Sequence, residues 1–204
     1  MRDLHASLTP HHNVIRPSLP DGDLWVFAYG SLMWNPAFEY LRHSPARLHG
    51  YHRSLCVLSH VHRGTPQQPG MVLGLDRGGC CRGRGFLIAA RDKEEITEYL
   101  YAREMATLVY KAELHPITLT NQPTDRQSRQ QQALCFVVNR QHHQYAGKLD
   151  PRACAKYIQQ AQGLSGTSQD YLASTLRHLQ QLHIKDSQLL KVAAALQPLS
   201  PPEN

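Results

Sequence analysis

The sequence predicts an α+β fold: a small, mixed, strongly curved, barrel-like sheet with helices packed around it. Three observations lead there. Strand-like runs of β-branched and aromatic residues dominate the first two-thirds of the chain, and helical patterns dominate the last third. No regular strand–helix–strand alternation of the kind that builds a parallel sheet is present. At 204 residues the chain has enough length for one sizeable core and too little for two. The expected organisation is an extended or mobile segment over 1–22, one domain over 23–196, and a tail over 197–204.

The first element is Trp25-Val26-Phe27-Ala28-Tyr29-Gly30-Ser31-Leu32-Met33-Trp34. Its aromatic and β-branched half reads as a buried strand over 24–29. Gly30 and Ser31 end it in a bend, and Asn35-Pro36 turns the chain. Such a bend concentrates backbone N–H groups that can hold a carboxylate or a developing oxyanion. Residues 36–45 read as irregular, anchored by Phe38, Tyr40 and Leu41, and Leu48 to Leu58 as a strand. Residues 59–70 form a loop rich in His, Gly, Gln and Pro.

Met71 to Asp76 and Arg82 to Ala90 read as two strands paired across a turn at Gly78-Gly79, with Arg77, Arg82 and Arg84 as a solvated face. Asp92, with Glu95 three residues on, signals a helix start, and the helix is expected to reach Met105. At 100° per residue Ile96, Tyr99, Leu100 and Arg103 share a face. Glu104 falls at the edge of that face, while Glu94 and Glu98 look away from it. Strands are expected near 107–119 and 132–138, joined by a polar stretch with Asn121-Gln122-Pro123 and a loop-like run from Gln127 to Gln132. Pro151 opens a helix to about Gln162. Thr167 or Ser168 caps another through His183, with Tyr171, Leu172, Leu176 and Leu179 inward, and 186–196 is a last short helix.

Composition narrows the function classes. No apolar run approaches the ~20 residues of a membrane span, and the start of the chain lacks the apolar block of a secretory signal. A cytoplasmic protein that engages no membrane is expected. The formal charge is +6, but the arginines are scattered and no basic strand is interleaved with aromatics, so nucleic acid is not an expected partner. Five cysteines leave one over under any pairing, and Cys80-Cys81 point to opposite faces of a strand. Reduced thiols are the expectation. His60-x-His62, His11-His12 and His142-His143 lack a third ligand at fixed spacing, and no C-x-x-C occurs, so no metal is expected.

The decapeptide resembles the YGSL(M/I)W signature of the ChaC family of γ-glutamylcyclotransferases, which act on glutathione. The likeness continues through Pro69-Gly70-Met71-Val72-Leu73-Gly74-Leu75-Asp76, through Tyr99-Leu100-Tyr101-Ala102-Arg103-Glu104-Met105, and into Gly163-Leu164-Ser165-Gly166-Thr167, covering roughly residues 24–180. Three positions depart from the family pattern: Ala28 where Gly is common, Arg84 where an aliphatic or β-branched residue is usual, and Ser168 in place of Asn.

The resemblance implies the γ-glutamylcyclotransferase fold, glutathione as a small-molecule substrate, 5-oxoproline and Cys-Gly as products, and no cofactor. It implies Glu104 as the catalytic acid and base, since a carboxylate at the edge of an apolar face gains proton affinity by desolvation. It implies that the strand and bend from Val26, Phe27 and Ala28 through Tyr29, Gly30, Ser31 and Leu32 bind the glutamyl moiety. Tyr171 either contacts substrate or packs. Ser31 as an acyl-transfer nucleophile is the rival chemistry, without a G-x-S-x-G frame to support it. The YGSLMW form favours glutathione over another γ-glutamyl amine or peptide, and an intact Glu104 argues against a ligand-binding member without turnover.

Overall fold

A computed structural model describes residues 15–120 and 129–196. Five strands close a barrel: β1 (Leu24–Ala28), β2 (Arg42–Ser59), β3 (Gly70–Ile88), β4 (Tyr110–Leu119) and β5 (Gln130–Val138), in the order β1-β3-β2-β4-β5. All neighbours are antiparallel except β1 and β5, whose parallel pairing at Trp25↔Ala133 and Val26↔Leu134 closes the ring and makes it mixed. Large side chains from every strand are buried on the two faces of the barrel sheet, among them Leu24, Phe27, Leu48, Phe86, Ile117 and Phe136, all essentially without solvent contact. Burial of that apolar area supplies most of the driving force for closure.

β2 and β3 form one ribbon, paired from Arg42↔Leu87 to Ser59↔Gly70 with two shifts of register. The expected turn at Gly78-Gly79 does not exist; β3 runs straight through it. Gly78 and Gly79 adopt φ of +102° and +75°, and Gly50 opposite them on β2 adopts +84°. The pairing slips there, between His49↔Cys80 and Tyr51↔Arg77. The left-handed glycines make a bulge that bends the ribbon without ending it. β2 also begins at Arg42, earlier than expected, because residues 42–48 pair with the far half of β3 and with β4. Of the expected anchors before it, Phe38 packs edge-on against Phe86, Tyr40, though partly exposed, tilts onto the same ring at 5.0 Å, and Leu41 lies exposed. Cys80 is exposed and Cys81 buried, as alternation on a strand requires.

Among the described residues four helices cover the barrel: α1 (Lys93–Glu104), α2 (Pro151–Gln160), α3 (Ser168–Gln181) and α4 (Ser187–Leu196). Asp92 does not cap α1 with its side chain. A 3₁₀ turn over Ala90–Asp92 holds it at φ −100°, ψ −2°, away from the extended geometry a capping carboxylate needs. Asp150 caps α2 by accepting from the N–H groups of Arg152 and Ala153. Thr167 caps α3, accepting from Asp170 N–H at 3.0 Å. Residues 15–23 run extended along α1, fixed where Arg16 pairs with Glu98 and Lys93 Nζ meets the carbonyls of Pro20, Asp21 and Gly22. Gln130–Gln132, expected as loop, belong to β5 and pair with β4. Residues 121–128, 1–14 with His11-His12, and the tail from 197 lie outside the described residues. Among the described helices none is long and apolar enough to cross a membrane.

Candidate active site

The near half of β3 shows how the site is framed. Over Met71–Leu73 the strand has β2 on one side and no strand on the other. Side chains take the place of that neighbour. Ser168 Oγ accepts from Met71 N–H at 3.0 Å and donates to Met71 C=O at 3.1 Å. Tyr171, one turn further along α3, accepts from Leu73 N–H at 3.3 Å, and Tyr110 at the start of β4 donates to Leu73 C=O at 2.7 Å. The open strand edge is thereby satisfied, as a buried backbone must be.

In front of that edge lies a cleft of about 680 Å³, walled by the 29–32 bend, the end of α1, Leu73, Tyr110, Tyr171 and the loops at 59–63 and 165. Glu104 stands in its wall. Its side chain is 18% exposed, and Oε1 lies 3.2 Å from Arg103 Nε. Burial raises the proton affinity of the carboxyl, and the neighbouring Arg103 charge only partly opposes this. Tyr29, Tyr110 and Tyr171 surround it. Burial pushes all three phenols up, with Tyr171 at about 12, and the Glu104 charge adds to each shift. They therefore present neutral O–H groups at physiological pH. Tyr171, already accepting from Leu73, retains its own proton as a donor.

The bend itself is a 3₁₀ turn over Ser31–Met33, closed by Met33 N–H to Gly30 C=O at 2.9 Å. Three guanidinium groups hold it from outside the cleft or from its rim. Arg53, buried on β2, donates Nε–H to Tyr29 C=O at 2.6 Å. Arg84 donates to Met33 C=O at 3.1 Å. Arg103 donates to Ser31 Oγ at 3.1 Å, to Asn35 C=O at 2.9 Å and to Tyr99 at 2.9 Å. Because C=O and the next N–H of a trans peptide point in opposite directions, fixing Tyr29 C=O on Arg53 turns Gly30 N–H away from Arg53. The carbonyls of Gly30 and Ser31 are used inside the turn, which leaves Ser31 and Leu32 N–H outside its hydrogen bonds. Arg84 is thus not part of a solvated face with Arg77 and Arg82; it is half-buried and holds the end of the bend.

Of the residues expected at the site, Glu104, Tyr29, Gly30, Ser31, Leu32 and Tyr171 all line this cleft. Val26, Phe27 and Ala28 do not. Their side chains alternate between the two faces of β1, almost wholly buried on both, and they act on the cleft only by seating the bend that follows. Among the described residues no His is hydrogen-bonded to Ser31, whose hydroxyl meets Arg103 instead, so they do not form the arrangement of an activated serine. Sequence reading missed Tyr110, Arg53, Arg63 and His62, which come from strands and a loop with no motif of their own. His60 faces His143 at 6.0 Å and His142 stacks on His143 at 4.3 Å, away from the cleft wall. Among the described residues no group of three or more metal-ligating side chains is placed to hold a metal ion. A second cavity, of about 760 Å³, lies beyond Tyr99 against residues 37–41 and the first turn of α1, and Glu104 is not in its wall.

Comparison with known proteins shows the family and the fold. The family model described as ChaC-like protein matches residues 24–198. A glutathione-specific gamma-glutamylcyclotransferase of Escherichia coli (strain K12) is 32% identical over 169 residues, 83% of this chain and 71% of that protein. The glutathione-specific gamma-glutamylcyclotransferase 1 of Mus musculus is 33% identical over 171 residues, 81% of this chain and 75% of that one. Among solved structures, a yeast γ-glutamyl cyclotransferase specific to glutathione superposes with a TM-score of 0.77 at 23% identity, covering 86% of this chain and 96% of that chain. That structural likeness speaks for the fold.

Proposed function

The chain belongs to the ChaC-like family, and from that premise we propose that it is a glutathione-specific γ-glutamylcyclotransferase, converting glutathione to 5-oxoproline and Cys-Gly. The observation that carries the reading is Glu104: a carboxyl of raised proton affinity, walled by neutral phenols and facing the same cleft as the Tyr29–Leu32 bend.

The reaction is an intramolecular aminolysis. The α-nitrogen of the glutamyl group attacks its own γ-carbonyl carbon, a C–N bond closes the five-membered lactam, and the amide C–N bond to cysteine breaks. Of the three protons on the starting ammonium, one stays on the lactam nitrogen and two end on the departing amine. Glu104 carries that traffic: it accepts the proton that frees the amine to attack, and returns it to the leaving nitrogen. The N–H groups of the bend and the Ser31 hydroxyl hold the glutamyl moiety, and the Tyr171 O–H donates toward developing negative charge on the γ-oxygen. Neither a protein nucleophile nor a metal is needed for this sequence of steps.

On the same reading residues 23–196 act as one cyclotransferase domain, in the cytoplasm, on a small molecule and not on nucleic acid. Five unpaired cysteines suit that reducing compartment. The test is a coupled assay for Cys-Gly and 5-oxoproline with glutathione, run beside γ-glutamyl-alanine. Turnover of glutathione with little of the alanine compound is the expected result. Preference for the alanine compound points to another γ-glutamyl substrate, and turnover of neither overturns the assignment.

A further inference from the structure

The glutamyl end of the substrate has its partners in the bend and Glu104, but glutathione carries a second carboxylate, on its glycine. Three cationic or potentially cationic side chains line the cleft: Arg103, His62 and Arg63. Arg103 is spent, with its nitrogens shared among Glu104, Ser31, Asn35 and Tyr99. His62 turns Nδ1 to Ser165 Oγ at 3.1 Å. Arg63 remains.

Its Nη1 donates to Ser165 C=O, with a longer contact to Thr167 C=O at 3.4 Å. Among the described residues Nε and Nη2 have no acceptor, and Arg63 makes no ion pair. Asp170, an acid nearby on α3, binds Thr167 Oγ1 at 2.6 Å instead. The Arg63 guanidinium stands 5.5 Å over the Tyr171 ring, and the Tyr171 hydroxyl lies near enough to the charges of Arg63 and Glu104 to respond to each. Arg63 and Glu104 therefore both lie close to one tyrosine side chain, in the wall of one cleft.

The backbone that carries Arg63 is held firmly. Ser59 Oγ accepts from Arg63 N–H at 2.9 Å, and the 61–62 segment receives hydrogen bonds from Leu164 and Ser165 N–H at 2.9 Å each. The contact is too close for any side chain at Gly163, where a Cβ would stand 2.4 Å from Val61 C=O. A guanidinium fixed by one nitrogen on a braced loop, with the N–H groups of Nε and Nη2 left over, is prepared for a planar anion.

We infer that Arg63 binds the glycyl carboxylate of glutathione and sets the preference for a substrate with a free carboxylate two residues beyond the γ-glutamyl bond. The inference rests on the cyclotransferase reading for the identity of the substrate, but its test separates the two. In a Glu104→Gln background, where substrate is bound and not consumed, calorimetry gives the Kd of glutathione and of glutathione amidated at its glycine. Amidation is expected to weaken binding on the order of ten- to a hundredfold, the effect of losing a charge-assisted pair. Arg63→Gln, which keeps an N–H for Ser165 C=O, should bind both ligands alike, at the level of the amide. Arg63→Lys should recover part of the difference. Equal binding of acid and amide by the parent protein overturns the inference without any variant, and persistent discrimination by Arg63→Gln overturns it as well. If discrimination depends on Arg63 while the enzyme with Glu104 intact yields no 5-oxoproline, the subsite stands and the catalytic reading falls.

Discussion

Arg53 Nε donates to the Tyr29 carbonyl at 2.6 Å, so a residue outside the cleft wall fixes the first peptide of the bend that lines it. The same guanidinium reaches Arg82 C=O at 2.7 Å and Asp186, just before α4, at 3.4 Å. It joins the bend, the barrel and the last helix through one planar group with several donors. A lysine has the charge but not the fork.

Arg53→Lys should therefore raise the KM for glutathione roughly tenfold while kcat falls less, because the bend loses its set and Glu104 does not. Arg53→Met, which also strands the partly buried Asp186 carboxylate, should cost about 3–5 kcal/mol of stability. Steady-state kinetics and thermal unfolding check this, and an unchanged KM in a folded Arg53→Lys enzyme refutes it.

Glu104→Gln should lower kcat by ~10²–10⁴ and leave glutathione binding in place. Glu98→Gln, on the outer face of α1 and paired only with exposed Arg16, should be nearly silent. Near-normal turnover by Glu104→Gln would remove the carboxylate from the mechanism.

The direction of the Glu104 shift also fixes two pH dependences. A base must be ionised to accept a proton, so kcat/KM should climb as pH rises through the elevated Glu104 value. Stability runs the other way. A carboxyl whose folded value lies above its unfolded value binds more protons folded than unfolded in the window between, so stability falls as pH rises across it and is flat above. Glu104→Gln removes that loss and should melt higher than the parent at neutral pH. A lower or equal melting temperature contradicts the burial argument.

The thiols supply a separate check. Burial pushes Cys56 to about 12, Cys81 to about 11, and Cys135 and Cys154 upward as well, whereas Cys80 is exposed. Since thiolate is the reactive form, a neutral-pH alkylating reagent should modify Cys80 quickly and the other four only after unfolding. Mass spectrometry should find one adduct and full activity. Loss of activity in step with that adduct would implicate a thiol in the chemistry.

Arg84→Val, toward the aliphatic residue usual at this position, tests a feature of this chain. Valine suits a strand, so stability should change by no more than about 0.5–1 kcal/mol. Met33 C=O loses its donor, and KM should rise severalfold. An unchanged KM would make the Arg84 contact incidental.

The sequence is most legible where its signals are local. The Trp25–Trp34 stretch carries its strand, bend and turn within one short run, and α1 announces both its start and its Glu104 face. Thr167 caps the helix that follows it and Pro151 opens another, because such signals are written in neighbouring residues. Gly78-Gly79 misleads for a physical reason: two glycines with positive φ serve a hairpin turn or a bulge equally well. The choice is made by β2, distant in the chain, whose Gly50 matches them. Arg53, Arg63 and Tyr110 are illegible for a related reason. Each reaches the site from a different strand or loop, and nothing beside it in the sequence marks the convergence.

The replacement of a strand by Ser168, Tyr171 and Tyr110 along Met71–Leu73 has a consequence for how the molecule behaves in company. An unpaired strand edge is a template on which a second molecule can add a strand, and so begin aggregation or a swapped dimer. Here hydroxyls already occupy the N–H and C=O groups a foreign strand would use. They do so one residue at a time, leaving the edge open enough to form a cleft wall. The chain can thus keep an interrupted sheet facing its substrate without offering that sheet to its neighbours.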